Sequence, residues 1–336
     1  MTTTLGIIGL GQIGASIGLV LRRKGVSEKI LGHDRDTRVA REAVALGAIG
    51  AAAGFKEVAS QSDILFLCIP LGEMHTVLGK LGSLLRPGAV IVETAPIKAG
   101  VNLWIQELLP PGIQHVGLVP GLSPALLGRT ELGIKAAHDE LFQRTIMMVV
   151  TSRGSSEATE QLGLNLARLL GAKPMLIDQA EADGIMTTAH VLPQLAASAL
   201  IEASMGSGGW MEARKLAGRP FVSVTGGMAY YDDPASVEAE VAPNPDRVAH
   251  GLDVLIAALG RLRDDIAAQD GGRVRERLEH NFRARERWLD ERNAPNWLAE
   301  GPEPVEMPGA GEQLTRLLFG GRIAEASRAH RRRPAR

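Results

Sequence analysis

Cysteine is all but absent from this sequence. The one thiol in 336 residues, Cys68, cannot close an internal disulfide, and its apolar surroundings read as a buried structural position. No cysteine–histidine cluster has the spacing of a metal site, so no metal is expected. Charge of one sign is lacking too. The 37 Lys and Arg against 38 Asp and Glu leave a net charge of −1, and no global field draws nucleic acid or a membrane surface. Aromatics are 4% of the chain, which gives weight to any that fall in a substrate region. No apolar run is read as reaching the roughly 20 residues of a membrane span, and no leader is read at the start. The expectation is a cytoplasmic protein without membrane or nucleic-acid partners. What is present is an ordinary globular balance, 45% hydrophobic and 22% charged, at a length suited to about two domains.

The organising stretch lies near the start. Residues 5–8 form a short apolar strand pattern, followed by Gly9-Leu10-Gly11-Gln12-Ile13-Gly14 and a helical pattern with Ile13, Ile17, Val20 and Leu21 on one face. This is a full G-x-G-x-x-G. The first glycine permits a tight turn, the second lets backbone approach a pyrophosphate, and the third lets helix pack on strand. The helix start then offers amides and a dipole to the phosphates. A second strand, residues 29–32, leads to Asp34, 20 residues after Gly14, where a carboxylate is expected for the ribose hydroxyls. Asp34 favours NAD. Arg35 and Arg38 follow directly and keep NADP as the alternative, since arginine holds a ribose phosphate.

The β-α-β alternation continues through about residue 120, with strands at 64–69 (stopped by Pro70), 89–92 and 115–119, and a further strand at 145–150. From residue 155 the pattern turns helical. A helix at 157–170 and a brief strand-like piece at 172–177 precede long helices at 180–205, 234–242, 245–269 and 271–292. Pro193 inside the first of these calls for a kink. The expected architecture is α/β: a Rossmann-type doubly wound parallel sheet over residues 1–152, then an all-helical domain over 153–292. Residues 293–336 read as a Pro/Gly-rich linker and a basic tail. The helices carry enough apolar surface to suggest a dimer interface.

Several segments together resemble the prephenate/arogenate dehydrogenases of tyrosine biosynthesis, over residues 5–290. They are GLGQIGASIG, GHDRD, CIPLG with Pro70, ETAPIK in place of a D-x-x-S-x-K motif, and above all EADGIMTTAHVLPQLAASAL in place of E-H-D and S-H-L-P-H. The resemblance implies an NAD(P)-dependent oxidative decarboxylation of a small carboxylic acid. It also implies a Rossmann domain followed by a helical dimerisation domain, with the active site in the cleft between them.

The substrate half departs from that pattern. The family's catalytic histidine, in H-P-M-A-G, falls on Val119 or Ser123, and neither serves as a base at neutral pH as imidazole does. The motif serine is Pro96, the E-H-D histidine is Ala182, and the second S-H-L-P-H histidine is Gln194. Lys98, Asp183 and His190 are kept. The candidate catalytic residues are therefore His190, His115, Ser123 and Lys98. Lys98 and Arg129 are read as holders of a substrate carboxylate. The alternative for each is structural: a core histidine, a strand-start histidine, a solvated charge. Tyr230-Tyr231-Asp232-Asp233 is read as either a substrate contact or dimer packing. Two further readings stay open, a β-hydroxyacid-dehydrogenase-like oxidoreductase and a dinucleotide-binding regulatory protein with little catalysis.

Overall fold

The computed structural model describes residues 3–152, 154–230 and 234–294. These divide into two compact units, one ending at Ala182 and the other beginning at Asp183. The Tyr231–Asp233 part of the tyrosine–aspartate cluster and the basic tail lie outside the described residues.

The first unit is an eight-stranded sheet. Its strands and helices alternate as β1 (Thr4–Ile8), α1 (Gln12–Arg23), β2 (Lys29–His33), α2 (Thr37–Ala45), β3 (Ala51–Ala52), α3 (Phe55–Gln61), β4 (Ile64–Leu67), α4 (Leu71–Leu81), β5 (Val90–Glu93), α5 (Ala99–Leu108), β6 (Gln114–Pro120), β7 (Ile146–Thr151), α6 (Glu157–Leu170) and β8 (Lys173–Leu176). The strand order is β3-β2-β1-β4-β5-β6-β7-β8. Order reverses between β1 and β4, which is where doubly wound sheets bind their ligands.

Three features differ from the sequence reading. The two-residue β3 falls in a stretch read as a connection, since two exposed alanines carry no strand periodicity. β7 runs antiparallel to β6 because the long segment between them holds only two short 3-10 turns and no crossover helix. And α6 with β8 belongs to the sheet, since β8 pairs parallel with β7 through the α6 crossover, so the division comes 30 residues after the boundary expected at 152.

The core follows from strand composition. All four residues of β4 and of β5 are buried, as continuous apolar runs in a centrally placed parallel strand require. The inner faces of α1 (Ala15, Ile17, Val20, Leu21) and α6 (Leu162, Leu166, Ala167, Leu170) join the same core. Asp36 caps α2 by accepting from the Arg38 amide, and Ser156 caps α6 through the Thr159 amide.

The second unit is helical. Its elements are the end of α7 (Gln179–Met186), a π turn (Thr187–Val191), α8 (Leu192–Met205), α9 (Trp210–Leu216), α10 (Arg219–Thr225), a 3-10 turn (Gly226–Tyr230), α11 (Pro234–Val241), α12 (Pro245–Ala267) and α13 (Gly271–Asn293). Pro193 falls in the first turn of α8, directly after the π turn. α12 packs against α13, with Arg277 bridging to Asp265. The continuous segment Gln179–Met205 is long and apolar enough, by length and composition, to cross a membrane, which corrects the expectation that no run approaches that length. It carries Asp183, His190 and Gln194 along its length.

Phe66 lies fully buried in β4. Phe66→Ala is expected to cost the first unit about 3–5 kcal/mol, read from the urea unfolding midpoint.

Candidate active site

The glycine loop is shaped by close packing. β1 ends at Ile8, and Gly9 turns the chain at φ +87°, its amide donating to the His33 carbonyl at 2.9 Å. A Cβ on Gly9 would stand 2.2 Å from the Cys68 carbonyl oxygen, and one on Gly14 would stand 1.9 Å from the Gly9 carbonyl oxygen. A Cβ on Gly11 would meet nothing within 4 Å. Two of the three glycines are therefore demanded by packing, and the middle one faces open space. Gly11 caps α1 without a side chain, and no acidic residue occupies the first turn. The amides there have no helical acceptor and present a positive end.

Asp34 follows β2 directly. One carboxylate oxygen accepts from the Leu10 amide at 2.8 Å, and the other accepts from the Asp36 amide at 2.9 Å. The carboxylate is thereby fixed to the glycine loop with lone pairs to spare for vicinal hydroxyls. Arg35 pairs with Glu73, and Arg38 pairs with Asp36, whose carboxyl the Arg38 hydrogen bond holds below its ordinary range. Pro70 precedes the first residue of α4 beside this loop, next to Ile69, which a Cβ on Gly9 would also touch. Open space at Gly11, unpaired first-turn amides and a pinned carboxylate fit a dinucleotide. Cys68 is only partly buried as a residue, yet desolvation pushes its thiol up to about 12, so it stays protonated.

Lys98 and His115 enter one closed cluster at Glu93. The Lys98 ammonium donates to Glu93 Oε1 at 2.7 Å and to the Leu118 carbonyl at 3.1 Å, and Glu93 Oε2 accepts from the Ala95 amide at 2.7 Å. His115 Nε2 stands 3.4 Å from Glu93 Oε1, off line for a full hydrogen bond, and Nδ1 stands 3.3 Å from the Ser152 hydroxyl. Burial alone would raise Glu93; the Lys98 and His115 charges more than offset it and hold the carboxyl below its ordinary value. Gly117 sits opposite Glu93 because a Cβ there would come within 2.6 Å of the carboxylate. Lys98 is fully buried, so its expected role as a carboxylate holder is corrected: its charge is spent inside the protein. His115 lies at the start of β6, remote along the strand from Val119 and Pro120 at its other end. Val119 is buried in its pairing with Met148. Ser123 is also buried, its amide donating to the Leu141 carbonyl at 2.7 Å, and Arg129 is exposed.

The second unit collects a different polar group. His190 lies on the π turn, about a third exposed, with Nε2 3.3 Å from Glu240 Oε1 on α11. Gln194 donates to the His190 carbonyl at 3.0 Å, and Asn244 donates to Asp183 at 3.3 Å. Gly184 leaves room for the Arg247 guanidinium, which a Cβ would meet at 2.1 Å. Glu240 Oε2 and Gln194 Oε1 are buried without a hydrogen-bond partner. Glu240 was not singled out by the sequence reading. The available signal was the buried face of α11, which carries Ser236 and Glu240 one turn apart where an apolar pair is the rule. Among the described residues no group of three or more His, Cys, Asp or Glu is placed to hold a metal ion.

The family model for the nucleotide-binding domain of prephenate dehydrogenase matches residues 17–175. The prephenate dehydrogenase of Bacillus subtilis is 24% identical, across 96% of this chain and 87% of its own. The cyclohexadienyl dehydrogenase of Zymomonas mobilis is 25% identical, across 84% and 94%. Among solved structures, the A. aeolicus prephenate dehydrogenase in complex with hydroxyphenyl propionate and NAD+ superposes with a TM-score of 0.71 at 20% identity, covering 85% of this chain and 98% of that one. The Synechocystis arogenate dehydrogenase gives 0.61 at 22%, covering 85% and 100%.

The closed cluster yields a stability test. Lys98→Met leaves Glu93 buried without its counter-charge and is expected to destabilise the first unit by about 3–5 kcal/mol, whereas Lys98→Met with Glu93→Met recovers most of that loss. Because the Glu93 carboxyl is held low, its stabilisation is present above the ordinary carboxylate range and disappears as pH falls through the lowered value. Urea midpoints measured from neutral to acid pH therefore converge between wild type and the double variant.

Proposed function

We propose that the chain is an NAD-dependent dehydrogenase of the prephenate/arogenate dehydrogenase family and that its substrate is a ring-bearing carboxylic acid of the prephenate or arogenate type, oxidised with loss of carbon dioxide. The observation that carries the reading is Asp34 fastened to the Leu10 amide beside an open Gly11. In this reading the free amides of the first turn of α1 hold the pyrophosphate, and Gly9, Leu10, Gly11, Gln12, Ile13 and Gly14 form its cradle. Asp34 takes the adenosine ribose hydroxyls, and Pro70 borders the loop. The dinucleotide, when bound, supplies a hydride acceptor. NAD is preferred because Asp34 repels a ribose phosphate while Arg35 and Arg38 are already paired with carboxylates. NADP binding would require those exposed pairs to open, which costs little each.

Two finer readings accompany this. The protein acts in the cytoplasm as a biosynthetic enzyme of tyrosine formation. It also works as a homodimer through its helical unit, supported by the exposed Ile256, Leu259 and Ile266 on α12 and Phe282 and Trp288 on α13. A groove of about 640 Å³ between the two helices is lined by Leu255, Leu259 and Leu262 on α12 and by Arg273, Glu276, Arg277 and His280 on α13.

Val119, buried where the family has its base, favours a second reading, a dinucleotide binder with little catalysis. Assays with prephenate and arogenate against NAD separate the two: NADH formation with either acid is expected, and binding of NADH without turnover of any acid would leave the second reading. Asp34→Ala is expected to weaken NADH about tenfold while barely changing NADPH, measured by fluorescence titration. Light scattering of the full chain is expected to give twice the 35.7 kDa chain mass, and Leu259→Glu to give the single chain.

A further inference from the structure

Two arginines follow Asp34, and each already has a carboxylate. The two pairs differ in kind. Arg38 pairs with Asp36, two residues away, and the same Asp36 caps α2 through the Arg38 amide, so that carboxylate is tied to its own helix. Arg35 pairs with Glu73, 38 residues on, in the first turn of α4. Neither Arg35 nor Glu73 caps a helix.

The topology makes the second pair a bridge. In the sheet, β2 and β4 lie on either side of β1. Arg35 follows β2, Glu73 follows β4 and the glycine loop follows β1, all three at the ends of parallel neighbours. The ion pair therefore runs from one flank of the glycine loop to the other. The Arg35 side chain is 67% exposed and that of Glu73 31%, so an arriving ligand reaches both.

What the bridge does to a dinucleotide follows from charge. A guanidinium directly after the Asp34 position is the group that holds a ribose 2′-phosphate. Opening an exposed ion pair costs little, so pairing alone would not keep that phosphate out. The larger effect is the carboxylate that stays behind. A phosphate on the Arg35 guanidinium would share it with Glu73, inside the Debye length of about 8 Å at physiological salt. Two anions on one cation repel each other, and Asp34 cannot swing away to relieve them, because the Leu10 and Asp36 amides pin it. A ribose with two free hydroxyls meets no such repulsion.

We propose that Glu73, acting through Arg35, is a specificity-determining residue for the dinucleotide: it occupies the arginine after Asp34 and keeps it from serving a 2′-phosphate. The inference rests on the cofactor reading above. It makes the choice of cofactor depend on two elements, the turn after β2 and the first turn of α4, and not on Asp34 alone. Arg35 is the group that would touch the phosphate, and Glu73 is the positioning residue.

The test titrates the full chain with NADH and NADPH by nucleotide fluorescence and reads the ratio of the two dissociation constants. A change that merely disturbs the fold weakens both cofactors and leaves that ratio in place. Glu73→Gln is expected to move the ratio about tenfold toward NADPH. Arg35→Gln added to Glu73→Gln is expected to return the ratio to the wild-type value. At about 1 M salt, where the Debye length is about 3 Å, wild type and Glu73→Gln are expected to draw together. Circular dichroism checks the fold, and Glu73→Ala replaces Glu73→Gln if the latter fails to fold. An unmoved ratio in the Glu73 variant, or a shift that persists without Arg35 or at high salt, would overturn the inference, while wild-type binding of NADH leaves the cofactor reading standing. Wild-type protein that binds neither dinucleotide would sink both.

Discussion

A side chain on residue 14 would place its Cβ 1.9 Å from the Gly9 carbonyl oxygen, so α1 begins directly over β1 only because that side chain is missing. The same crowding recurs at Gly9 against the Cys68 carbonyl and at Gly18 against the Ala48 carbonyl. Strand, turn and helix are thus pressed together on one side, and the strand β4 that carries Cys68's neighbours is locked to β1 by the register Leu5–Ile64 to Ile8–Leu67. What the packing leaves open is the outer side of the loop at Gly11. A phosphate-sized anion is admitted there because every other side of the loop is already filled with protein.

The order of the sheet then does the rest of the positioning. β1 and β4 are neighbours, while β2 and β5 lie on either side of them, so Asp34 after β2 and the turn after β4 reach the same edge. Asp34 is drawn in by the Leu10 amide, a bond between the end of one strand and the glycine turn after another. A carboxylate held by two backbone amides keeps a fixed direction, and a fixed acceptor discriminates between a hydroxyl pair and a phosphate better than a mobile one does.

This half of the molecule was legible in the sequence, because each demand of the fold is local. Glycine spacing, an apolar strand before it, and a carboxylate at a set distance are all readable in one dimension. The strands at β4, β5 and β6 are legible for the same reason, as short apolar runs bounded by turns. The parts that were not legible depend on partners far along the chain. β3 is two alanines that become a strand only because Leu31 and Gly32 offer an open edge. The unit boundary at Ala182 is set by β8 returning to β7, which no composition shift marks. Lys98 looks in sequence like a free cation, and it is the burial of Glu93, five residues earlier, that removes it from the surface. Glu240 is invisible for the converse reason: a glutamate on an eight-residue helix reads as solvated until α11 is packed against the π turn.

The two buried glutamates differ in how completely the protein satisfies them. Glu93 has both oxygens engaged, one by the Lys98 ammonium and one by the Ala95 amide, and every member of its cluster is sealed from water. A proton added there finds no exit and no reactant, and its cost falls on folding. Glu240 is nearly as buried but keeps one oxygen bare, and its partner is an imidazole with a face open to solvent. Glu93 is thus a fully satisfied structural charge, whereas the His190–Glu240 pair is open to water on one side.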